Sequence, residues 1–212
     1  MVIAIDGPAG AGKSTVARGV AEALGLTYLD SVAMYRSVAL AALRRGIDPG
    51  DAEALGGVAR GLEIGFDDDA VRLDGEDVSD QIRTPEVGEA ASRVATHPQV
   101  REAMVARQRS LIDQGGYVAE GRDIGTVVSP DAPLKVFLTA SDGERARRRA
   151  AETGEPLERV FEEQGRRDAR DTGREHGALR PAADAVEVDT TGLGVGEVVD
   201  RIVDLARQRG LA

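Results

Sequence analysis

The run Gly7-Pro8-Ala9-Gly10-Ala11-Gly12-Lys13-Ser14 combines residue types that together hold phosphate. Glycines let successive backbone N–H groups turn inward around phosphate oxygens. Lys13 adds a charge on a flexible stem for the β- and γ-phosphates of a nucleoside triphosphate such as ATP, and the Ser14 hydroxyl can ligate Mg²⁺. A chance glycine-rich turn would match the same four fixed positions. Here the run follows an apolar strand and opens a helix, the setting this chemistry requires, with Thr15 continuing the helix start. Lys13 is expected at a solvent-open loop. Two further stretches carry charge at strand ends: Leu29-Asp30-Ser31-Val32-Ala33-Met34-Tyr35-Arg36 and Glu120-Gly121-Arg122-Asp123. Arginine forks grip phosphate bidentately. Ligands of open α/β sheets bind outside the carboxyl ends of strands, so Arg36 and Arg122 are expected to converge on one crevice with the loop. A lone helical arginine is commonly just solvated; a Gly-Arg-Asp directly after a buried strand is less easily dismissed. Asp30 and Glu120 are the carboxylates nearest the strand ends, and either could orient metal-bound water. The loop specifies a triphosphate but not its fate. No NKxD-type guanine motif is present, which counts against a GTPase.

Positioning these groups requires strands that end where the motifs begin. Val2–Ile5 is short and apolar, bounded by Asp6-Gly7-Pro8, as a buried parallel strand should be. A helix is predicted from about Lys13 to Leu24, stopped by Gly25. Tyr28-Leu29 reads as a second strand, and Ser31 could cap a helix running toward Gly46. Between about Leu62 and Asp77 the period switches to two, with Asp67-Asp68-Asp69 as a turn: a small antiparallel meander within an insertion of about 58–92. Prolines 85 and 98 mark helix starts. Core strands return at 117–119, 134–138 and 185–188, and a last helix covers about 195–209.

The chain has 212 residues, 42% of them hydrophobic and 30% charged, enough for one globular domain with a core. No apolar run approaches the roughly 18 residues of a membrane span, and no secretory leader is evident at Met1–Asp6. With no cysteine, disulfides, thiol nucleophiles and a Cys-based zinc site are excluded, and two histidines alone, His97 and His176, argue against a His-rich metal centre. Neither histidine has a second one nearby, so both are read as unspecialised surface residues. A net charge of −10 makes nucleic acid and anionic membrane poor partners, and the expectation is a cytoplasmic monomer. All basic residues except Lys13 and Lys135 are arginines, a bias a GC-rich genome produces by itself. Ten lie between 145 and 180, interleaved with acids. Salt-bridged helix faces account for about half; Arg148, Arg167, Arg170 and Arg174 are the functional candidates, in helices split by Thr153-Gly154-Glu155-Pro156 as in a compact lid.

The segments IDGPAGAGKST, LDSVAMYR, EDVSDQIRTPEV, EGRDIGTVVSPDAP and RRDARD, in this order over nearly the whole chain, resemble the bacterial cytidylate kinases, the (d)CMP kinases of the nucleoside monophosphate kinase family. EGRDIGTVV and EDVSDQIRT are far more specific than the phosphate loop. The resemblance implies an α/β P-loop kinase fold: a five-stranded parallel core sheet flanked by helices (about 1–57, 93–145 and 176–212), a nucleotide-binding insertion with a small antiparallel sheet (58–92) and a lid (146–175). It also implies roles. Gly7–Thr15 and Arg148 hold ATP, with Mg²⁺ on Ser14. Arg36 and Arg122 clamp the CMP phosphate; Ser92, Arg101 and Asp123 read cytosine; Ser31 and Tyr35 line that pocket. Arg167 and Asp171 meet the ribose, Arg167 also nears the transferring phosphoryl group, and Arg170 and Arg174 belong to the lid. Lys13, Arg122 and Arg167 are thereby the catalytic set. A carboxylate is a natural acceptor for the cytosine amino group.

Three positions depart from the family pattern: Val32 where glycine is usual, Ser129 where an apolar residue is usual, and Glu120 where aspartate is also common. A β-branched residue at 32 either crowds the substrate loop or requires negative φ. The expected reaction is ATP-dependent phosphorylation of CMP and dCMP. The rivals are a kinase for UMP or another small metabolite, and a non-catalytic nucleotide switch.

Overall fold

The computed structural model describes residues 1–67 and 70–211. The chain forms two compact units, one made of Met1–Asp30 and the chain from Leu111 onward, the other of Ser31–Ser110.

The first unit is built on a parallel sheet of β1 (Val2–Asp6), β2 (Thr27–Asp30), β6 (Tyr117–Gly121), β7 (Leu134–Thr139) and β8 (Val186–Asp189), in the order β2-β6-β1-β7-β8. The predicted five-stranded parallel core is therefore present. The central strands β1 and β7 are buried along almost their whole length, while edge strands β2 and β8 are each fully buried at one residue, Leu29 and Val188, as parallel strands covered on two faces and less covered edges should be. Helices α1 (Lys13–Leu24) and α8 (Val195–Gln208) lay Val16, Val20, Val198 and Ile202 against Ile3, Ile5, Val136 and Leu138. Gly25, at φ 64°, ends α1 in the left-handed conformation expected of it. Helices α6 (Asp142–Thr153) and α7 (Leu157–Thr172) follow β7 and pack on each other, separated by the predicted breaker.

The second unit holds α2 (Ser31–Arg44), α3 (Ala52–Gly61), the antiparallel sheet β3 (Ile64–Asp67), β4 (Ala70–Leu73) and β5 (Glu76–Asp77), α4 (Pro85–Val94) and most of α5 (Pro98–Ile112). β3 and β4 pair from Ile64↔Leu73 to Asp67↔Ala70. Asp68 and Asp69, read as part of a turn, lie outside the described residues. The compact unit is wider than the 58–92 insertion read from the pattern: α2 packs against α3 and α4, so helices assigned to the core belong with the small sheet. A boundary at 58 also cuts α3, a helix the periodicity did not reveal. Thr84 caps α4 by accepting from the Val87 N–H, with Pro85 at the first helical position as anticipated. Among the described residues, no helix is long and apolar enough to cross a membrane.

Candidate active site

The phosphate loop joins β1 to α1. Gly10 and Gly12 take left-handed φ of 76° and 86°, a region costly for residues with a Cβ. At Gly7 a Cβ would lie 2.2 Å from the Leu138 carbonyl oxygen, so only glycine fits beside β7. No side chain caps α1 and its first turn holds no acid. Its leading N–H groups and dipole are thus available to an anion.

Lys13 donates from Nζ to the Pro8 carbonyl at 2.8 Å and is only 6% exposed. The solvent-open lysine expected from sequence is therefore corrected: the loop folds its own lysine under itself. Burial first, then the positive charge of Arg122, pulls the Lys13 ammonium down to about 7. Arg122, also buried, donates from Nε to Asp171 at 3.0 Å and from Nη1 to the Gly7 carbonyl at 3.0 Å. Asp171, 1% exposed, also accepts from Arg174 at 2.5 Å. Burial alone would raise the Asp171 carboxyl, but Arg122, Arg174 and Arg167 outweigh it and hold it below the usual range. Lys13, Arg122, Arg167, Asp171 and Arg174, expected separately from three stretches of sequence, thus share one electrostatic cluster beside the loop.

Asp123 is buried where β6 ends and a π-helical turn, Ile124–Val128, begins. That turn is anchored by Asp6, whose carboxylate accepts from the Ile124 and Gly125 N–H groups at 2.9 and 2.8 Å. Burial pushes the Asp6 carboxyl up to about 6; the two N–H groups oppose the rise and the nearby Asp123 charge adds to it. The sequence marks Asp6 only as a strand stop. Its position at the end of a buried apolar strand was the available signal. Glu120 is buried and accepts from the Tyr28 hydroxyl at 2.6 Å, while Ser14 is exposed at the first turn of α1.

Arg148 bridges α6 to the end of β8, donating to Glu144 at 3.0 Å and to the hydroxyl and carbonyl of Thr190 at 3.0 and 2.7 Å. Its Nη1 lies 3.7 Å from where a Gly12 Cβ would sit, so it stands at the loop's edge. Arg145, grouped with the salt-bridged face, does pair with Asp142 three residues away, but it also contacts the loop directly: it is buried and donates to the Ala9 carbonyl at 2.9 Å. Helical spacing alone could not separate it from its neighbours. Arg147, Arg149, Arg159 and Arg166 do pair with acids three or four residues away, as read.

In the second unit, Arg36 donates to the Ile82 carbonyl at 2.9 Å. Arg101 is buried, reaches the Tyr35 hydroxyl at 3.5 Å and stands 6.0 Å from that ring's centre; Ser92 is buried on α4. Ser31 is buried in the first turn of α2. Val32 is helical there with negative φ, which a β-branched residue adopts without strain. His97, expected to be an unspecialised surface group, is half-buried and its Nε2 lies 2.7 Å from the Pro49 carbonyl, tying the α4–α5 junction to the segment before α3; His176 is exposed.

The family model for cytidylate kinase matches residues 3–208. The cytidylate kinase of Mycobacterium avium (strain 104) is 50% identical over 99% of this chain and 96% of its own length. That of Geobacillus kaustophilus (strain HTA426) is 51% identical over 98% and 96%. Among solved structures, a gluconokinase from Sinorhizobium meliloti 1021 is similar at a TM-score of 0.51 and 19% identity, covering 99% of this chain and 93% of that one, a likeness of fold alone. Identity near one half over almost the entire length, with a family match from the first core strand to the last helix, means that the chain belongs to the cytidylate kinase family.

Proposed function

We propose that the protein transfers the γ-phosphoryl group of ATP to CMP and dCMP, giving ADP and CDP or dCDP. The observation that carries this reading is the cluster of Lys13, Arg122, Arg167 and Asp171 beside an uncapped phosphate loop. It holds more positive charge than the donor loop alone needs. An oxygen of the CMP phosphate attacks the γ-phosphorus in line, and the bond to the β-phosphate oxygen breaks as ADP leaves. Such a reaction needs positioning and charge neutralisation rather than a side-chain base.

On the donor side, Gly7–Thr15 would cradle the phosphates, Lys13 would follow the transferring group, and Arg148 would bound the nucleotide. On the acceptor side, Arg36 and Arg122 would neutralise the CMP phosphate, with Asp123, Ser92 and Arg101 for the base beside Ser31 and Tyr35. Arg167 and Asp171 would serve the ribose, and Arg170 and Arg174 the lid. Among the described residues no group of three or more His, Asp or Glu could cage a metal. That fits Mg²⁺, which keeps waters and substrate phosphates as ligands: the exposed Ser14 hydroxyl would hold it, with Asp30 or Glu120 reached through water. Bound there, the ion would neutralise phosphate charge. Free nucleotides are cytoplasmic metabolites, which fits a cytoplasmic protein, and the reading takes it to act as a monomer.

A coupled ADP-release assay across CMP, dCMP, UMP, AMP and shikimate tests this. Turnover confined to CMP and dCMP is expected. Preference for another acceptor would overturn the substrate assignment, and ATP binding without turnover would favour a non-catalytic switch.

A further inference from the structure

Arg145 occupies a position that the nucleotide-binding roles do not explain. From α6 its Nη1 donates to the Ala9 carbonyl at 2.9 Å and to Asp168 of α7 at 2.5 Å, and its Nη2 donates to Asp142 at 2.6 Å. Its own carbonyl accepts from Gln164 Nε2, one turn before Asp168, at 3.3 Å. The same two residues wall the loop: a Cβ on Gly10 would lie 2.8 Å from Gln164 Nε2 and 2.9 Å from the Arg145 carbonyl oxygen. Helix α7 therefore reaches the phosphate loop twice. Asp168 does so through Arg145 to Ala9, and Asp171 through Arg122 to Gly7. Arg167 and Asp171, the acceptor-side candidates, sit on that helix immediately beside Asp168.

The link is incompletely satisfied as it stands. Among the described residues, Arg145 Nε, Gln164 Oε1 and Asp168 Oδ1 are buried and meet no hydrogen-bond partner, and all three residues line a cavity of about 440 Å³ between the loop's Pro8, Phe137 and Phe161. A purely structural ion pair loses stability by leaving such groups unmet. A pair that shifts when the loop fills can meet them in its other arrangement, and the cavity gives α7 room to do so.

We propose that Arg145 and Asp168 are positioning residues that couple occupancy of the phosphate loop to the placement of α7, so that ATP and CMP strengthen each other's binding. Their coupling is reciprocal by thermodynamic necessity. This rests on the kinase reading above.

The test measures binding of a non-hydrolysable ATP analogue by calorimetry, with and without saturating CMP, in the full-length chain. Wild type should bind the analogue at least about fivefold tighter with CMP present, within the usual range of such couplings. Asp168→Asn removes the charge at constant size and should bring that ratio near one, while leaving the affinity for CMP alone within about twofold. Asp168→Glu, which keeps the charge, should restore part of it. Gln164→Leu replaces a half-satisfied amide by a similar apolar volume and should lower the ratio independently, and it carries the test if Asp168→Asn fails to fold. Retention of the wild-type ratio in folded Asp168→Asn, or in Gln164→Leu where that variant must substitute, overturns the proposal, as does a wild-type ratio of one. A wild type that does not bind CMP at all overturns the kinase reading instead.

Discussion

Lys13 is the group whose behaviour the structure changes most. Its ammonium is buried beside Arg122 and Arg167, and its titration is drawn from 10.5 to about 7. A triphosphate in the loop brings several negative charges against it and restores its ordinary affinity for a proton. ATP should therefore bind together with a proton above pH 7. At pH 8, where the triphosphate is fully ionised, the neutral fraction of a group titrating near 7 corresponds to uptake of about 0.9 proton per ATP bound. The dissociation constant for ATP should then rise about tenfold per pH unit between pH 8 and 10, because placing the proton on Lys13 costs about 1.4 kcal/mol more at each successive pH unit. Calorimetry at pH 8 in two buffers of different ionisation enthalpy reads the proton directly. Lys13→Arg, with a guanidinium that stays charged, should show neither uptake nor slope. The linkage has the opposite sign in the unliganded protein. Because the folded-state value lies below 10.5, the unfolded chain binds more protons from about pH 7 to 10.5, and Lys13's drag on stability lifts across that window. A wild type that takes up no proton at pH 8 and binds ATP equally at pH 7 and 9 would refute the argument.

Three other outcomes follow from named contacts. Asp123→Ala should cut kcat/KM for CMP strongly and for UMP little. The wild-type preference, expected at about 10²–10⁴-fold from two mispaired buried groups, should collapse mainly from the CMP side, as paired kinetics at saturating ATP would show. Asp171→Asn removes the buried carboxylate that Arg122 and Arg174 share and should cost about 3–5 kcal/mol in denaturant unfolding at pH 7. The Asp171 carboxyl titrates below its ordinary range, so the wild type holds this stabilisation above pH 3.8 and loses it as pH falls further. Asp6→Asn presents an amide where two N–H donors converge, leaving one unmet at about 1–3 kcal/mol, and should raise the CMP KM because the anchored turn begins at Asp123. The Asp6 carboxyl is pushed up to about 6, so wild-type stability carries a component lost as pH rises from 3.8 to about 6, which this variant should lack.

What depends on neighbours in the chain is legible in the residues themselves. The phosphate loop, the buried β1 and β7, the Gly25 stop and the Pro85 and Pro98 helix starts all rest on local sterics and on periodicity, which one strand or one helix expresses alone. The acid-paired arginines of α6 and α7 were legible for the same reason, since partners three or four residues apart share a helix face. What depends on burial and on groups distant in sequence emerges only when the chain folds. Nothing near Lys13 in the chain announces that it lies under its own loop, because its desolvation comes from the whole fold and its like-charged neighbours are Arg122 and Arg167. Asp6 gains its role from N–H groups 118 and 119 residues away. Arg145 separates from Arg147 and Arg149 only because α6 docks with one face against Ala9, 136 residues earlier. Helix periodicity states which residues share a face. Which face meets the phosphate loop is set by the packing of α6 and α7, and that is a property of the folded chain alone.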